Sequence, residues 1–206
     1  MSVTTHNRKI ILVSLFAALT AVGAFIKIPL PHIPITLQTL VVIMSGNLLG
    51  YKLGTLSQLL YLVVGLLGVP IFAYGGGPGY IFQPSFGYLL GYPVGAFLIG
   101  LLVHQLCPPT KMTKISSPRC FMLIFCADVV GVVVLFFIGL VYLYFTLKYG
   151  WHLRLEQMTT AGLNWEMALK TAIFVFLPVD LIKILLATWL TLMLRRWKGF
   201  ANFWLG

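Results

Sequence analysis

The sequence predicts an all-α integral membrane protein, a compact bundle of six transmembrane helices with cytoplasmic N- and C-termini. Three observations carry this. Of 206 residues, 60% are hydrophobic and only 9% charged, against roughly 25% charged in a soluble domain. Mean hydropathy is +0.99. Apolar runs of spanning or near-spanning length take up most of the chain. The 14 Lys+Arg and 4 Asp+Glu cannot coat a soluble globule of this size. A soluble enzyme, a nucleic-acid-binding domain and a disordered tail are thereby excluded. What remains is one transmembrane domain, 1–206, embedded in a lipid bilayer with almost no mass outside it.

The runs are expected at about 10–28, 36–49, 55–72, 86–106, 120–147 and 167–194. The first follows Arg8-Lys9 and continues to Ile28 with no clean cleavage region, so it reads as an uncleaved span. Pro29-Leu-Pro-His-Ile-Pro34 is too rich in proline for helix interior and reads as a loop. The second run is short for a span. Gly50-Tyr-Lys-Leu-Gly54 reads as a tight turn. Ala73-Tyr-Gly-Gly-Gly-Pro-Gly-Tyr-Ile-Phe-Gln-Pro84 is irregular but uncharged and aromatic. Such backbone survives at membrane depth only where protein or a water-filled cavity satisfies it. The fourth run, 86–106, carries a small-residue series at Gly87, Gly91 and Gly95 that suits close helix packing. The 148–166 connection is the longest polar stretch, with Trp151 and Trp165 as interface anchors.

Counting crossings sets the orientation. Arg8, Lys9, Lys52, Lys111, Lys114, Arg119, Arg195, Arg196 and Lys198 fall on one side; Lys27, Lys148, Arg154 and Lys170 fall on the other. The basic side is the cytoplasmic one, so the protein belongs in the cell membrane and its net charge of +10 reports topology rather than a nucleic-acid partner. The three cysteines, Cys107, Cys120 and Cys126, are odd in number and form no CxxC pair, and read as packing residues.

The strongest chemical signal is Asp180 with Lys183, three residues apart inside an apolar span and so on one helix face. An intramembrane charge costs at least ~2.5–3.5 kcal/mol at the bilayer centre. Two readings stand: a neutralised pair that locks helix packing, or a ligand site reached from outside. Asp128 is the other buried acid; a structural role and a proton relay both remain open. In the glycine loop, Tyr80 and Phe82 fit a lid over a mostly apolar small molecule. Gln83 and Gln38 add amide donors and acceptors. The loop does not fit the phosphate-binding pattern G-x-x-x-x-G-K-[ST], and no Walker motif occurs in the chain. His6, His32, His104 and His152 are scattered, no carboxylate cluster suits a metal, and no nucleophile–base pair shares a face. Catalytic residues, metals and cofactors are not expected.

Taken together, five segments resemble the BioY family, the biotin-binding S-components of energy-coupling-factor (ECF) vitamin transporters. They are Leu15-Phe-Ala-Ala-Leu-Thr-Ala-Val-Gly-Ala-Phe25, Pro34-Ile-Thr-Leu-Gln-Thr39, Gly65-Leu-Leu-Gly-Val-Pro-Ile-Phe-Ala73, Gly87-Tyr-Leu-Leu-Gly91 and Pro178-Val-Asp-Leu-Ile-Lys183. The resemblance implies six helices and biotin bound near the outer face. It implies that Ala17 and Ala21 contact a transmembrane coupling subunit, which works with two ATPase subunits. On this reading Asp180 accepts from a ureido N–H, Lys183 donates to the ureido carbonyl or meets the carboxylate, and Tyr80, Phe82 and Tyr88 pack on the ring and chain. The chain departs from the family pattern at Gln83-Pro-Ser-Phe-Gly-Tyr88 and carries no arginine in the glycine loop. The resemblance therefore does not identify the group that meets a carboxylate. The alternatives are a proton-coupled secondary transporter using Asp128 and Asp180, and an S-component for another small vitamin.

Overall fold

The computed structural model describes residues 3–29, 33–108, 117–149 and 176–196. Part of the proline-rich loop lies outside these, as do Lys111, Lys114, Trp151, His152, Arg154, Trp165, Lys170, Lys198 and the start of the sixth expected span.

The elements in order are α1 (Val3–Phe25), β1 (Lys27–Ile28), β2 (Ile35–Thr36), α2 (Gln38–Leu66), a 3₁₀ turn (Pro78–Phe82), α3 (Phe86–Leu106), α4 (Ser117–Tyr149) and α5 (Leu177–Arg196). Among the described residues, five helices are long and apolar enough to cross a membrane. Their outward faces carry large apolar side chains such as Ile11, Leu15, Val133, Phe137, Ile182 and Trp189. In water these would be a liability; against lipid they are the expected surface.

α2 is not straight. At Gly50 the backbone sits at φ 72, ψ 179, a region open essentially only to glycine. The chain folds back there. Gln58 Nε2 donates to Ser45 Oγ at 3.2 Å, although thirteen residues of straight helix would separate them by about 20 Å. Gln38 at one end likewise reaches Tyr61 near the other, at 2.7 Å. Glycine also permits the close approach of the two limbs. A Cβ at Gly54 would lie 2.8 Å from the Ser45 carbonyl oxygen. The expected turn at 50–54 is thus a single-residue reversal, with helix resuming at once.

This reversal sorts the molecule into two ends. One end holds the Gly50 turn, the start of α1, the α3–α4 junction and the end of α5, with Arg8, Lys9, Lys52, Arg119 and Arg195. The other holds the β1–β2 pair, residues 67–85 and the start of α5, with Lys27. At the basic end, Ile43, Ile99, Val103, Ile124, Ala187 and Leu192 form one buried cluster. Toward the loop end, Val42, Tyr61, Phe72, Tyr80, Tyr88, Tyr92 and Leu135 form another.

The cysteine expectation needs correcting. Cys107 and Cys120 form a disulfide, with Cα atoms 6.1 Å apart, and Cys126 is the free thiol. The pairing joins the end of α3 to the start of α4. Sequence spacing did not betray it, because the two cysteines meet only once α3 and α4 pack side by side.

Replacing Gly50 with alanine is expected to lower stability by about 1–3 kcal/mol, seen as a lower melting temperature in detergent. Alanine at Gly79, which has open space around it, should shift it far less.

Candidate functional site

Residues 38–49 make a helix only about 18 Å long, against a hydrocarbon core of ~30 Å. The depression this leaves at the loop end is roofed by β2, Ala73 and the 3₁₀ turn. Under that roof lies a small cavity of about 40 Å³. Its walls come from almost every element: Thr36, Gln38 and Thr39; Tyr80 and Ser85; Tyr88 and Tyr92 of α3; Leu135 and Phe136 of α4; Phe176, Asp180 and Lys183.

The charged wall is the α5 pair. Lys183 Nζ donates to Asp180 Oδ1 at 2.8 Å, and both side chains are buried. Asp180 Oδ2 is buried as well and has no partner among the described residues. A carboxylate oxygen is a strong acceptor, so this atom is the open hydrogen-bonding position of the site. The opposite wall is neutral and locked. Thr36 Oγ1 donates to Gln38 Oε1 at 3.0 Å. Gln38 Nε2 donates to Tyr61 Oη, which donates in turn to the Ile71 carbonyl at 3.0 Å. Tyr80 and Ser85 share a hydroxyl hydrogen bond of 3.3 Å. Burial pushes the Tyr80 hydroxyl above its ordinary pKa, with the Ser85 hydrogen bond opposing, so it stays a neutral phenol at physiological pH. Aromatic rings complete the cage: Phe72 lies 4.6 Å from Tyr80, Tyr88 5.4 Å from Phe136, and Phe136 6.1 Å from Phe176. An apolar cage with a few convergent polar groups is the usual form of a small-molecule site.

Five of the residues expected from sequence therefore meet here: Asp180, Lys183, Gln38, Tyr80 and Tyr88. Phe82 and Gln83 do not line the cavity. Phe82 is 53% exposed, and the Gln83 backbone ties the 3₁₀ turn to α3, with its N–H on the Tyr80 carbonyl and its own carbonyl taking the Phe86 N–H. Both belong to the roof rather than the walls. Phe176 lies four residues before Asp180 and is expected on the face of the pair; Thr36, Thr39, Ser85, Tyr92 and Phe136 carry no such expectation. Tyr92 follows Tyr88 by four residues and shares its helix face, so it was findable. Nothing local in the sequence links Phe136 with Phe176.

A wider groove of about 350 Å³ opens between α4 and α5 and touches Asp180. Apart from that carboxylate its walls are Val, Leu, Ile and Phe side chains. With no convergent polar groups, it fits lipid-facing surface better than a specific site. Asp128 lines neither space. Its Oδ2 accepts from Thr188 at 2.8 Å and from Asn47 at 3.2 Å, well toward the basic end.

On α1, the residues that the resemblance implies for partner contact, Ala17 and Ala21, lie against the core. Ala17 is 8% exposed and belongs to the loop-end core cluster, against which Ala21 packs. That face looks into the bundle. The small residues that α1 turns outward are Ser14 and Ala18, one helical step around.

Fold and site together define a multi-pass membrane protein with a small cavity beneath loops at one end. A family model described as the BioY family matches residues 1–200. The chain belongs to the BioY family. It is 43% identical over 139 residues, 68% of its length, to a probable biotin transporter BioY of Lysinibacillus sphaericus, and that match spans 66% of the relative, just under two thirds. It is 33% identical to a biotin transporter BioY of Rhizobium etli, over 88% of this chain and 89% of that one. Its fold resembles that of the S-component for biotin from an ECF-type ABC transporter, with a TM-score of 0.71, 26% identity and 98% of each chain covered.

Removing one member of the buried pair should cost about 3–5 kcal/mol by stranding the other charge. Asp180→Asn and Lys183→Met are each expected to lower thermal stability in detergent sharply. The double variant should recover most of the loss. Additive losses would show that the two residues do not act as a pair.

Proposed function

We propose that this protein is the membrane-embedded biotin-binding component of an ECF-type uptake system, with no catalytic step and no cofactor of its own. The supporting observation is the Asp180–Lys183 pair in an aromatic cage. Biotin presents a flat, neutral ureido ring with N–H donors and one carbonyl. Asp180 Oδ2, without a partner among the described residues, accepts an N–H. Lys183 keeps N–H donors beyond the one given to Asp180 and donates to the carbonyl. Tyr80, Tyr88 and Tyr92 pack on the rings, and Gln38 holds the far wall in register. The relatives are biotin transporters by name and the structural neighbour is an S-component for biotin, which supports the same ligand.

The topology follows from the Gly50 reversal. The two limbs of α2 cross separately, giving six crossings. The basic end is cytoplasmic by the positive-inside rule, and the cavity opens toward the outer face of the cell membrane. Movement of biotin inward depends on a transmembrane coupling subunit and two ATPase subunits, since the chain has no phosphate-binding motif. A cavity of about 40 Å³ has room for little more than a few waters. Binding therefore requires the roof at Ile33–Thr36 and Ala73–Phe82 to lift.

The test is calorimetric titration of detergent-purified protein with biotin. Wild type should bind stoichiometrically. The folded double variant Asp180→Asn/Lys183→Met should bind at least tenfold more weakly, about 1.4 kcal/mol. Unchanged binding by the double variant would demote the pair to packing. No binding by a folded wild type would remove biotin as the ligand.

A further inference from the structure

We infer that Lys27 is the residue that receives the ligand's carboxylate, an assignment that rests on the biotin reading above. The starting point is charge. Among the described residues, Asp180 and Lys183 are the only charged side chains lining the cavity, and they neutralise each other at 2.8 Å. The walls therefore suit the neutral ureido ring. They offer no counter-charge to a carboxylate, and burying an unpaired carboxylate is costly. The anionic end of the ligand has to leave toward the roof.

Lys27 is placed there by three observations. In the β1–β2 pair it lies directly opposite Thr36, a cavity wall. Its Nζ donates to the carbonyl of Ala73, another wall residue. The same ammonium sits over the Tyr74 ring, 4.8 Å from its centroid. Among the described residues it has no carboxylate partner, since the one ion pair there is Asp180–Lys183. Its charge is held by a carbonyl and a ring face, both neutral, at the rim of a cavity whose one described cation, Lys183, is already paired with Asp180. The backbone is pinned by the strand pair, while the four-carbon stem is free to turn the ammonium from Ala73 toward the cavity mouth. Of the basic residues whose side chains are described, the others outside the cavity lie at the opposite end.

The experiment compares biotin with biotinamide, its neutral analogue, on wild type, Lys27→Met and Lys27→Arg in detergent. Wild type should prefer biotin by about tenfold, and the preference should shrink as salt is raised, because a rim charge is screened. Lys27→Met should lose the preference by weakening biotin alone, leaving biotinamide within about twofold of wild type. Lys27→Arg should restore the preference. Equal weakening of both ligands in Lys27→Met would overturn the assignment and leave Lys27 as a strap on Ala73. A preference that survives Lys27→Met, or none in wild type, would overturn it too. If wild type binds neither compound, the biotin reading itself falls, and the role of Lys27 with it.

Discussion

An ionised carboxylate inside a bilayer has to be answered locally, because no water is at hand to solvate it. Asp180 is answered by Lys183 on the next turn of the same helix. That choice shapes the rest of the site. A pair within one helix needs no second helix to complete it, so the opposite wall is left to neutral groups. Those groups are already bonded, Thr36 to Gln38, Gln38 to Tyr61 and Ser85 to Tyr80. In the cavity wall, Asp180 Oδ2 remains open among the described residues. The cavity is thus pre-organised on every side but one, which limits the ordering cost of binding.

The same helix carries a second polar station. Thr188 and Arg195 of α5 meet Asp128 of α4, Asn47 of α2 and the end of α3. Arg195 donates to the Asn47 and Cys107 carbonyls. Both lie at helix C-terminal ends, where carbonyls lack intrahelical partners and the helix dipole favours a cation. α5 is therefore held at its basic end by a charge on two helix ends and at its loop end by the site. Asp128 belongs to the first of these stations, its Oδ2 taking Thr188 and Asn47, and this bonding favours a structural role over a relay with Asp180.

Much of this was legible in the sequence, for physical reasons. A charged pair three residues apart in an apolar run can only share a face. A glycine- and aromatic-rich segment without charge belongs against protein, and it forms the roof. The α3 helix, Phe86–Leu106, occupies the range its uninterrupted apolar run marked out. What was not legible depends on rotation or on distant contacts. Ala17 and Ala18 differ by one step, and only packing against Val42 and Tyr61 decides which looks inward. Phe136 and Phe176 meet through the fold alone. Cys107 and Cys120 face each other because α3 and α4 are antiparallel neighbours. Lys27 reads from sequence as a charge near the end of the first run, and only the strand pair places it beside Thr36.

The most direct measurement is a structure of the protein in lipid nanodiscs with biotin bound. The account predicts the bicyclic ring within the aromatic cage, a ureido N–H on Asp180 Oδ2 and the ureido carbonyl toward Lys183. The Asp180–Lys183 pair should be intact. A ring bound away from the α5 pair, or Lys183 drawn off Asp180 to hold the carboxylate, would contradict it.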